Sequence, residues 1–215
     1  MNREERLYRL FNRLEIADIK KLFSALNTKS RTTVFRFLKR IGYFSSYSHA
    51  GRYYTLHSIP VFDNAGLWHV QGVSFSKHGS LKETVIQAVN TSKRGITHRE
   101  LKDILRVRVH NTLRELVVAD LIVRTNTGKN YLYISADAEN ASAQVSLRQA
   151  KVADEQLTRP LNPFETIEVL VDLLHSEDWR LKSIVDRLRK RNTKVSEYQV
   201  NEVFSRYSIK KKTSI

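Results

Sequence analysis

Residues 31–56 read RTTVFRFLKRIGYFSSYSHAGRYYTL, and the fold that we predict for the chain rests on this segment. Its first part predicts a helix, because four apolar side chains share one face at helical spacing: Val34, Phe37, Leu38 and Ile41. Ser30 precedes the helix as an N-cap, and Gly42 follows it as a C-cap. An earlier amphipathic helix is predicted over residues 18–26, and a turn over residues 27–29. The pattern therefore predicts two helices joined by a tight turn.

The outer face of the second predicted helix is basic. At about 100° per residue, the side chains opposite its apolar face are Thr32, Arg36, Lys39 and Arg40. Arg31 and Thr33 lie at its N-terminal end, where the positive helix end can meet phosphate. Residues 19–62 contain eight Lys or Arg and no Asp or Glu. An acid-free run of this length favours a polyanionic partner. The alternative is an ordinary helical core with a solvated basic face.

A short hairpin is predicted after the second helix. Tyr43-Phe44 and residues 52–56 are strand-like, and the Ser, His, Ala and Gly residues between them are typical of a turn. The hairpin would carry Arg52 near its tip and Tyr53 beside it, within reach of phosphate or the minor groove. Two helices joined by a tight turn and followed by a hairpin resemble the winged helix-turn-helix superfamily. The resemblance implies a DNA-binding domain whose second motif helix enters the major groove.

The same order of elements returns in residues 95–134, GITHRELKDILRVRVHNTLRELVVADLIVRTNTGKNYLYI. Capping boxes in residues 80–83 and 97–100 predict two helix starts. A third helix is predicted over residues 107–119, and a hairpin after it. The candidates for DNA contact in this region are Arg108, Asn111, Arg114 and Lys129. Glu115 lies on the same predicted face and would repel phosphate, so a winged fold used for protein contacts stays open here.

Two segments of different composition separate the predicted domains. In the first, Trp68 and Phe75 are expected to pack between its neighbours. The second is rich in Ala, Gln and charged residues and shows no clear apolar stripe. The predicted bounds are a winged helix over residues 1–60 (the first module), a connector over 61–79, a winged helix over 80–135 (the second module), a partly helical linker over 136–160, and a C-terminal module over 161–215.

The C-terminal module is predicted to contain three helices and no wing. It begins with Asn162-Pro163-Phe164-Glu165, which combines an N-cap, a proline at the first helical position and a glutamate at the third. Its last helix presents a poor surface for reading bases. We expect its basic residues to contact phosphate or a protein partner instead: Arg187, Lys190, Arg191, Lys194, Lys210, Lys211 and Lys212.

Charge and composition limit the classes of function. A net charge of +15 and a pI near 10.1 favour nucleic acid as the partner, with an anionic membrane surface as the weaker option. Cysteine is absent, so neither disulfides nor a Cys-type zinc site are expected. We find no clustered carboxylates for Mg²⁺, no histidines at metal-ligand spacing, no phosphate-binding glycine loop and no nucleophile motif. His49 and Arg52 superficially match a tyrosine recombinase fragment, but such a site needs a larger helical scaffold. We therefore predict a non-enzyme without metal or cofactor.

The phrases YSHAGRYYTL and RVHNTLREL are similar to phrases in uncharacterised prokaryotic helix-turn-helix proteins, some of which accompany mobile elements. This resemblance, over residues 18–134, implies association with transposition or its regulation. Tandem winged helices also serve in replication initiation and in chromosome organisation.

Taken together, these patterns predict a mainly α protein with small β-wings (α+β) that binds double-stranded DNA. We expect a sequence-specific transcriptional regulator or a DNA-binding factor of a mobile element. Two alternatives stay open. One is a winged-helix adaptor for proteins of a chromosome-organising or replication complex, and the other is an RNA-binding protein that stacks bases on Tyr47, Tyr53 and Tyr54.

Assembly and location are predicted more coarsely. A homodimer, or a protein partner that binds the C-terminal module, stays open. The sequence contains no apolar run of roughly 20 residues, and its first ten residues do not match a secretory signal. A cytoplasmic location is therefore expected, at the nucleoid if the source is prokaryotic.

Overall fold

The computed structural model describes residues 2–127 and 130–209. It divides the chain into two units, Met1–Val145 and Ser146–Ile215. The described residues form ten α-helices and three small antiparallel sheets, which is an α+β fold. The helices are α1 Arg3–Leu14, α2 Ile19–Leu26, α3 Arg31–Ile41, α4 Leu81–Thr91, α5 His98–Leu105, α6 His110–Val118, α7 Ala138–Thr158, α8 Pro163–His175, α9 Leu181–Lys190 and α10 Glu197–Arg206. The strands are β1 Ala17–Asp18, β2 Tyr43–Ser45, β3 Tyr53–Leu56, β4 Leu67–Val70, β5 Val73–Ser76, β6 Ile96–Thr97, β7 Ile122–Asn126 and β8 Tyr131–Ser135.

The first module consists of three helices and a sheet of order β1-β3-β2. Both strand pairs are antiparallel, with Tyr43 opposite Leu56 and Ala17 opposite Tyr54. Side chains from all three helices and from β3 share one core, whose fully buried members include Leu7, Phe11, Leu22, Leu26, Val34 and Leu38. The apolar faces predicted for α2 and α3 therefore meet in a single core.

Both ends of α3 have the caps that its sequence predicts. Ser30 Oγ accepts a hydrogen bond from the Thr33 amide at 3.2 Å. Gly42 ends the helix with φ +81°, and a Cβ at that position would lie 2.7 Å from His57 Nδ1. Left-handed backbone and close packing both require glycine here.

The second module repeats this arrangement with α4, α5 and α6 and a sheet of order β6-β8-β7. Capping boxes begin α4 at Ser80 and α5 at Thr97, which confirms the two predicted helix starts. β7 pairs with β8 from Ile122 opposite Ser135 to Asn126 opposite Tyr131.

The third helix of the second module begins later than predicted. α6 begins at His110, and Val109 at its N-cap forms no side-chain hydrogen bond. Arg106 ends α5 with φ +56°, so residues 107–109 serve to turn the chain rather than to extend a helix. Arg108 therefore precedes α6 and does not lie on the outer face of that helix.

The predicted connector is an antiparallel hairpin of β4 and β5, which pair along their whole lengths. Phe75 is fully buried and packs with Val73 and Ile16, and the half-buried Trp68 joins this cluster. Leu67 belongs instead to the core of the second module. The hairpin thus packs against both modules, with Trp68 and Phe75 in a cluster with the first and Leu67 in the core of the second.

Tyr47, in the loop between β2 and β3, is a second connection between the two modules. It is only 7% exposed and lies in the core of the second module. Its hydroxyl donates a hydrogen bond to the Leu105 carbonyl oxygen at 2.9 Å. The loop of the first module is therefore packed on the end of α5.

The segment predicted as a partly helical linker is one continuous helix of 21 residues, α7. Gln144 explains why its first part is ordered. Its side chain donates to the carbonyl oxygens of Val89 and Ser92 at 2.8 and 2.7 Å and accepts from the Ser135 amide at 2.9 Å. The first part of α7 is thus held by the hydrogen bonds of one buried polar residue and not by a row of apolar side chains. The first unit accordingly extends to Val145.

The C-terminal module contains α8, α9 and α10 in the second unit. Asn162 begins α8 through the predicted capping box, with Pro163 at the first helical position. Ser196 begins α10 in the same way, with Gln199 as its partner. The three helices share a core whose fully buried members are Val169, Ile184, Leu188 and Val200.

Candidate nucleic-acid interface

The outer face of α3 carries most of the predicted DNA-binding residues. Arg31, Thr32, Arg36, Lys39 and Arg40 are exposed, and Thr33 is half-buried. Val34 and Leu38, on the opposite face, are fully buried. The buried face fixes the rotation of the helix, so the cations extend into solvent. In the part of the chain that the structure describes, neither Arg36 nor Lys39 forms an ion pair.

Arg40 differs from the other cations of this face. Its Nε lies 2.8 Å from Glu4 Oε1 of α1. The pair offsets part of the Arg40 charge and draws that side chain toward α1. Arg36 has no acidic partner within the described residues, and its Cζ lies 5.5 Å from the centroid of the Phe37 ring. The available charge is therefore centred on Arg36 and Lys39.

The loop of the first module does not present the open tyrosines that the RNA-binding alternative requires. Arg52 is exposed, but Tyr53 is half-buried and its ring meets His49 edge-on at 5.5 Å. Tyr47 and Tyr54 are 7% and 6% exposed. The expectation that these tyrosines are open for base stacking is therefore wrong, because Tyr47 is packed into the second module and Tyr54 into the first.

In the second module, the predicted DNA-binding residues that the structure describes lie at and before the start of α6. Asn111 and Arg114 are exposed on the helix, and Arg108 is exposed before it. Glu115, which we expected to repel phosphate, forms an ion pair with Lys82 at 2.8 Å. Because both side chains remain more than half exposed, this pair contributes little to stability, but it does balance the charge of Glu115.

The candidate cations of the C-terminal module fall into two groups. Arg187 donates hydrogen bonds to the fully buried Asp172 at 2.7 to 3.1 Å, and Arg191 lies 3.4 Å from the same carboxylate. This arrangement raises the pKa of Arg187 and makes it a structural residue rather than the free phosphate contact that we expected. Lys190 and Lys194 are exposed. The last three candidates of this module, Lys210, Lys211 and Lys212, lie outside the described residues, as does Lys129 of the second module.

A second basic surface was not singled out from the sequence. A groove of about 740 Å³ between α1 and α2 is lined by Arg6, Arg9, Arg13, Lys20 and Lys21, with Leu10, Leu14 and Ala25 among its other lining residues. The signal in the sequence is the spacing of the three arginines, which places them on one face of α1. This face is distinct from the one on which Glu4 approaches α3.

Comparisons with protein-family models, with curated proteins and with solved structures found no match to this chain. Of the helices that the structure describes, none is both long enough and apolar enough to cross a membrane. Within residues 2–127 and 130–209, no three His, Cys, Asp or Glu side chains are grouped as a metal site would require.

Proposed function

We propose that the first and second modules are tandem winged helices and that the chain is a non-catalytic protein that binds double-stranded DNA. The outer face of α3 is the principal contact surface in this proposal. The exposed Arg36 and Lys39, free of acidic partners within the described residues, are the observation that carries it.

The topology of the two modules supports the first part of the proposal. Each has three helices, a two-residue strand before its second helix, and a sheet in which the last strand lies in the middle. In a winged helix, the third helix lies in the major groove and the hairpin flanks it. α3 and α6 have that position in the order of elements.

The charge of the chain supports the second part. Phosphate contacts from Lys and Arg supply most of the affinity of a DNA-binding protein, and side chains that reach base edges supply its specificity. Thr32, Arg36 and Lys39 offer both kinds of group on one helix face. Asn111 and Arg114 on α6 extend the footprint, because Asn pairs with adenine and Arg with guanine in the major groove.

The role that we propose is transcriptional regulation or DNA binding by a factor of a mobile element. It rests on the sequence-level resemblance of residues 18–134, together with a face on α3 that combines phosphate-binding and base-reading side chains.

A second candidate function is protein contact through the C-terminal module. On α8, Phe164, Ile167 and Leu174 are 67%, 56% and 81% exposed, and their spacing places them on one side of the helix. Exposed apolar side chains in such a row are typical of protein interfaces. An adaptor role would use this surface instead of the outer face of α3.

Selection from a pool of random duplex DNA tests the proposal. We expect the wild-type chain to retain duplexes and to enrich a common sequence, and we expect the Arg36→Ala/Lys39→Ala variant to lose the enrichment. The control variant Lys93→Ala/Arg94→Ala removes one Arg and one Lys from an exposed turn of the second module and should select the same sequence as the wild type. Failure of the wild type to retain any duplex would leave the adaptor role as the better account.

A further inference from the structure

A polar cleft lies where three segments of the first unit meet. It has a volume of about 770 Å³ and is lined by Ser48 and His49 from the loop between β2 and β3, residues 69–74 of the β4–β5 hairpin, and residues 106–108 after α5. Of the described residues that line it, two are arginines, two are histidines and none is acidic. Arg106 and Arg108 are both exposed, and neither forms an ion pair within the described residues.

The walls of this cleft are held by buried hydroxyl groups. Ser48 Oγ accepts a hydrogen bond from the Ser74 amide at 2.8 Å and lies 3.0 Å from His49 Nδ1. Ser74 Oγ lies 2.9 Å from His69 Nδ1. The bond from the Ser74 amide to Ser48 Oγ connects the hairpin to the loop, and each histidine is positioned by a serine that is itself almost fully buried.

Backbone strain is concentrated at the same place. His49, Gln71 and Arg106 line the cleft and have φ values of +52°, +48° and +56°. A left-handed conformation costs a residue other than glycine about 1 kcal/mol or more. Gly72, next to Gln71, has open space where a Cβ would be. The surrounding structure thus holds three residues of the cleft lining in a left-handed backbone conformation, and there is open space beside Gly72.

The electrostatic environment favours an anion in the cleft. Burial lowers the pKa of His69 below its ordinary value, and the positive charge of Arg106 lowers it further, while Asp63 acts in the opposite direction. Burial and the charge of Arg106 therefore both disfavour the protonated form of His69, and Arg106 forms no ion pair with an acid among the described residues. An anion beside Arg106 would relieve the unpaired charge.

We propose that this cleft binds a phosphate group, with Arg106 and Arg108 supplying the charge and the hairpin turn at Gly72 supplying a backbone amide. The phosphate can belong to a free phosphorylated small molecule or to the backbone of bound DNA. The first source is independent of the function proposed above, and the second rests on it.

The site is tested by titrating the full chain with inorganic pyrophosphate and recording two-dimensional NMR spectra at each step. We expect the Gly72 amide to shift and the pKa of His69 to rise on binding. Arg106→Asn removes the charge yet tolerates the left-handed backbone, and it should weaken binding about tenfold. Arg108→Gln is a second variant, outside any helix, that should act in the same direction. Arg99→Gln, which removes an exposed charge from α5 outside the cleft, should bind like the wild type.

A parallel titration with a random-sequence duplex distinguishes the two sources. Shifts at Gly72 with the duplex but not with pyrophosphate assign the site to the DNA backbone, provided that Arg106→Asn removes them. No shift with either ligand would overturn the proposal, as would an equal loss of affinity in Arg106→Asn and Arg99→Gln, because that result indicates diffuse attraction. The Arg36→Ala/Lys39→Ala variant should bind pyrophosphate like the wild type, because neither residue lines the cleft. The pyrophosphate titration therefore tests the cleft even if the chain does not bind DNA through α3.

Discussion

Glu4 illustrates how one side chain changes a surface that is far from it in sequence. Glu4 pairs with Arg40, so the charge of Arg40 is partly offset and less available to a ligand. Arg36 and Lys39 are then the main charges that the outer face of α3 offers to a ligand. On α6 the opposite occurs: Lys82 pairs with Glu115, the acid that we expected to repel phosphate, and so offsets its negative charge. The composition gives the number of charged residues, but the ion pairs that they form in the folded chain determine which charges are available to a ligand.

Arg187 donates hydrogen bonds to the fully buried Asp172, so its removal should destabilise the C-terminal module. Arg187→Ala would leave the fully buried Asp172 with Arg191 alone, 3.4 Å away. Breaking a buried pair costs about 3–5 kcal/mol, and we expect about 3 kcal/mol because Arg191 remains. Hydrogen exchange measured by mass spectrometry should show about 100-fold faster exchange in peptides from α8 and α9.

The matched control for this change is Arg189→Ala, which removes an exposed arginine from the same helix. Its exchange should stay close to that of the wild type, since surface substitutions usually change stability by less than about 0.5 kcal/mol. Equal exchange in the two variants would contradict the structural role of Arg187.

Most helices could be predicted because their ends carry local signals. Ser30, Ser80, Thr97 and Asn162 each satisfy amides within three residues, so the sequence alone identifies them. The two-residue strands β1 and β6 could not be predicted, because two residues show no periodicity and their pairing partners lie more than 30 residues away. The order of the first part of α7 could not be predicted, because it depends on the long-range hydrogen bonds of one buried glutamine, Gln144.

Gln144 connects the first part of α7 to the end of α4 and to Ser135 through three hydrogen bonds. Gln144→Ala would leave two carbonyl oxygens at the end of α4 and the Ser135 amide without their partner, at a cost of about 2 kcal/mol. We expect faster hydrogen exchange in the first turns of α7 and at the end of α4. The control is Gln149→Ala on the same helix, where the side chain is exposed. Protection that is unchanged in Gln144→Ala would show that other contacts hold α7.

At the scale of the whole molecule, the net charge of +15 is the property that favours a polyanionic partner. The sequence could predict which face of α3 is exposed, because burial of Val34 and Leu38 fixes the opposite face. It could not predict the cleft at Arg106, which forms where the β2–β3 loop, the hairpin and the turn after α5 meet. Nor could it predict that Arg187 is committed to Asp172, since long-range pairing depends on how α8 and α9 pack.

The proposed contact between the outer face of α3 and duplex DNA depends on the charge of that face. Its most direct test is the affinity of a fluorescently labelled random-sequence duplex, measured by anisotropy between about 50 and 200 mM salt. Each phosphate contact contributes about −0.9 to the slope of log K against log salt concentration. We expect a steep slope for the wild type and for Lys93→Ala/Arg94→Ala, and a slope shallower by about 2 for Arg36→Ala/Lys39→Ala. Equal slopes and affinities for the two double variants would contradict the claim, because the charge of α3 would then matter no more than charge elsewhere.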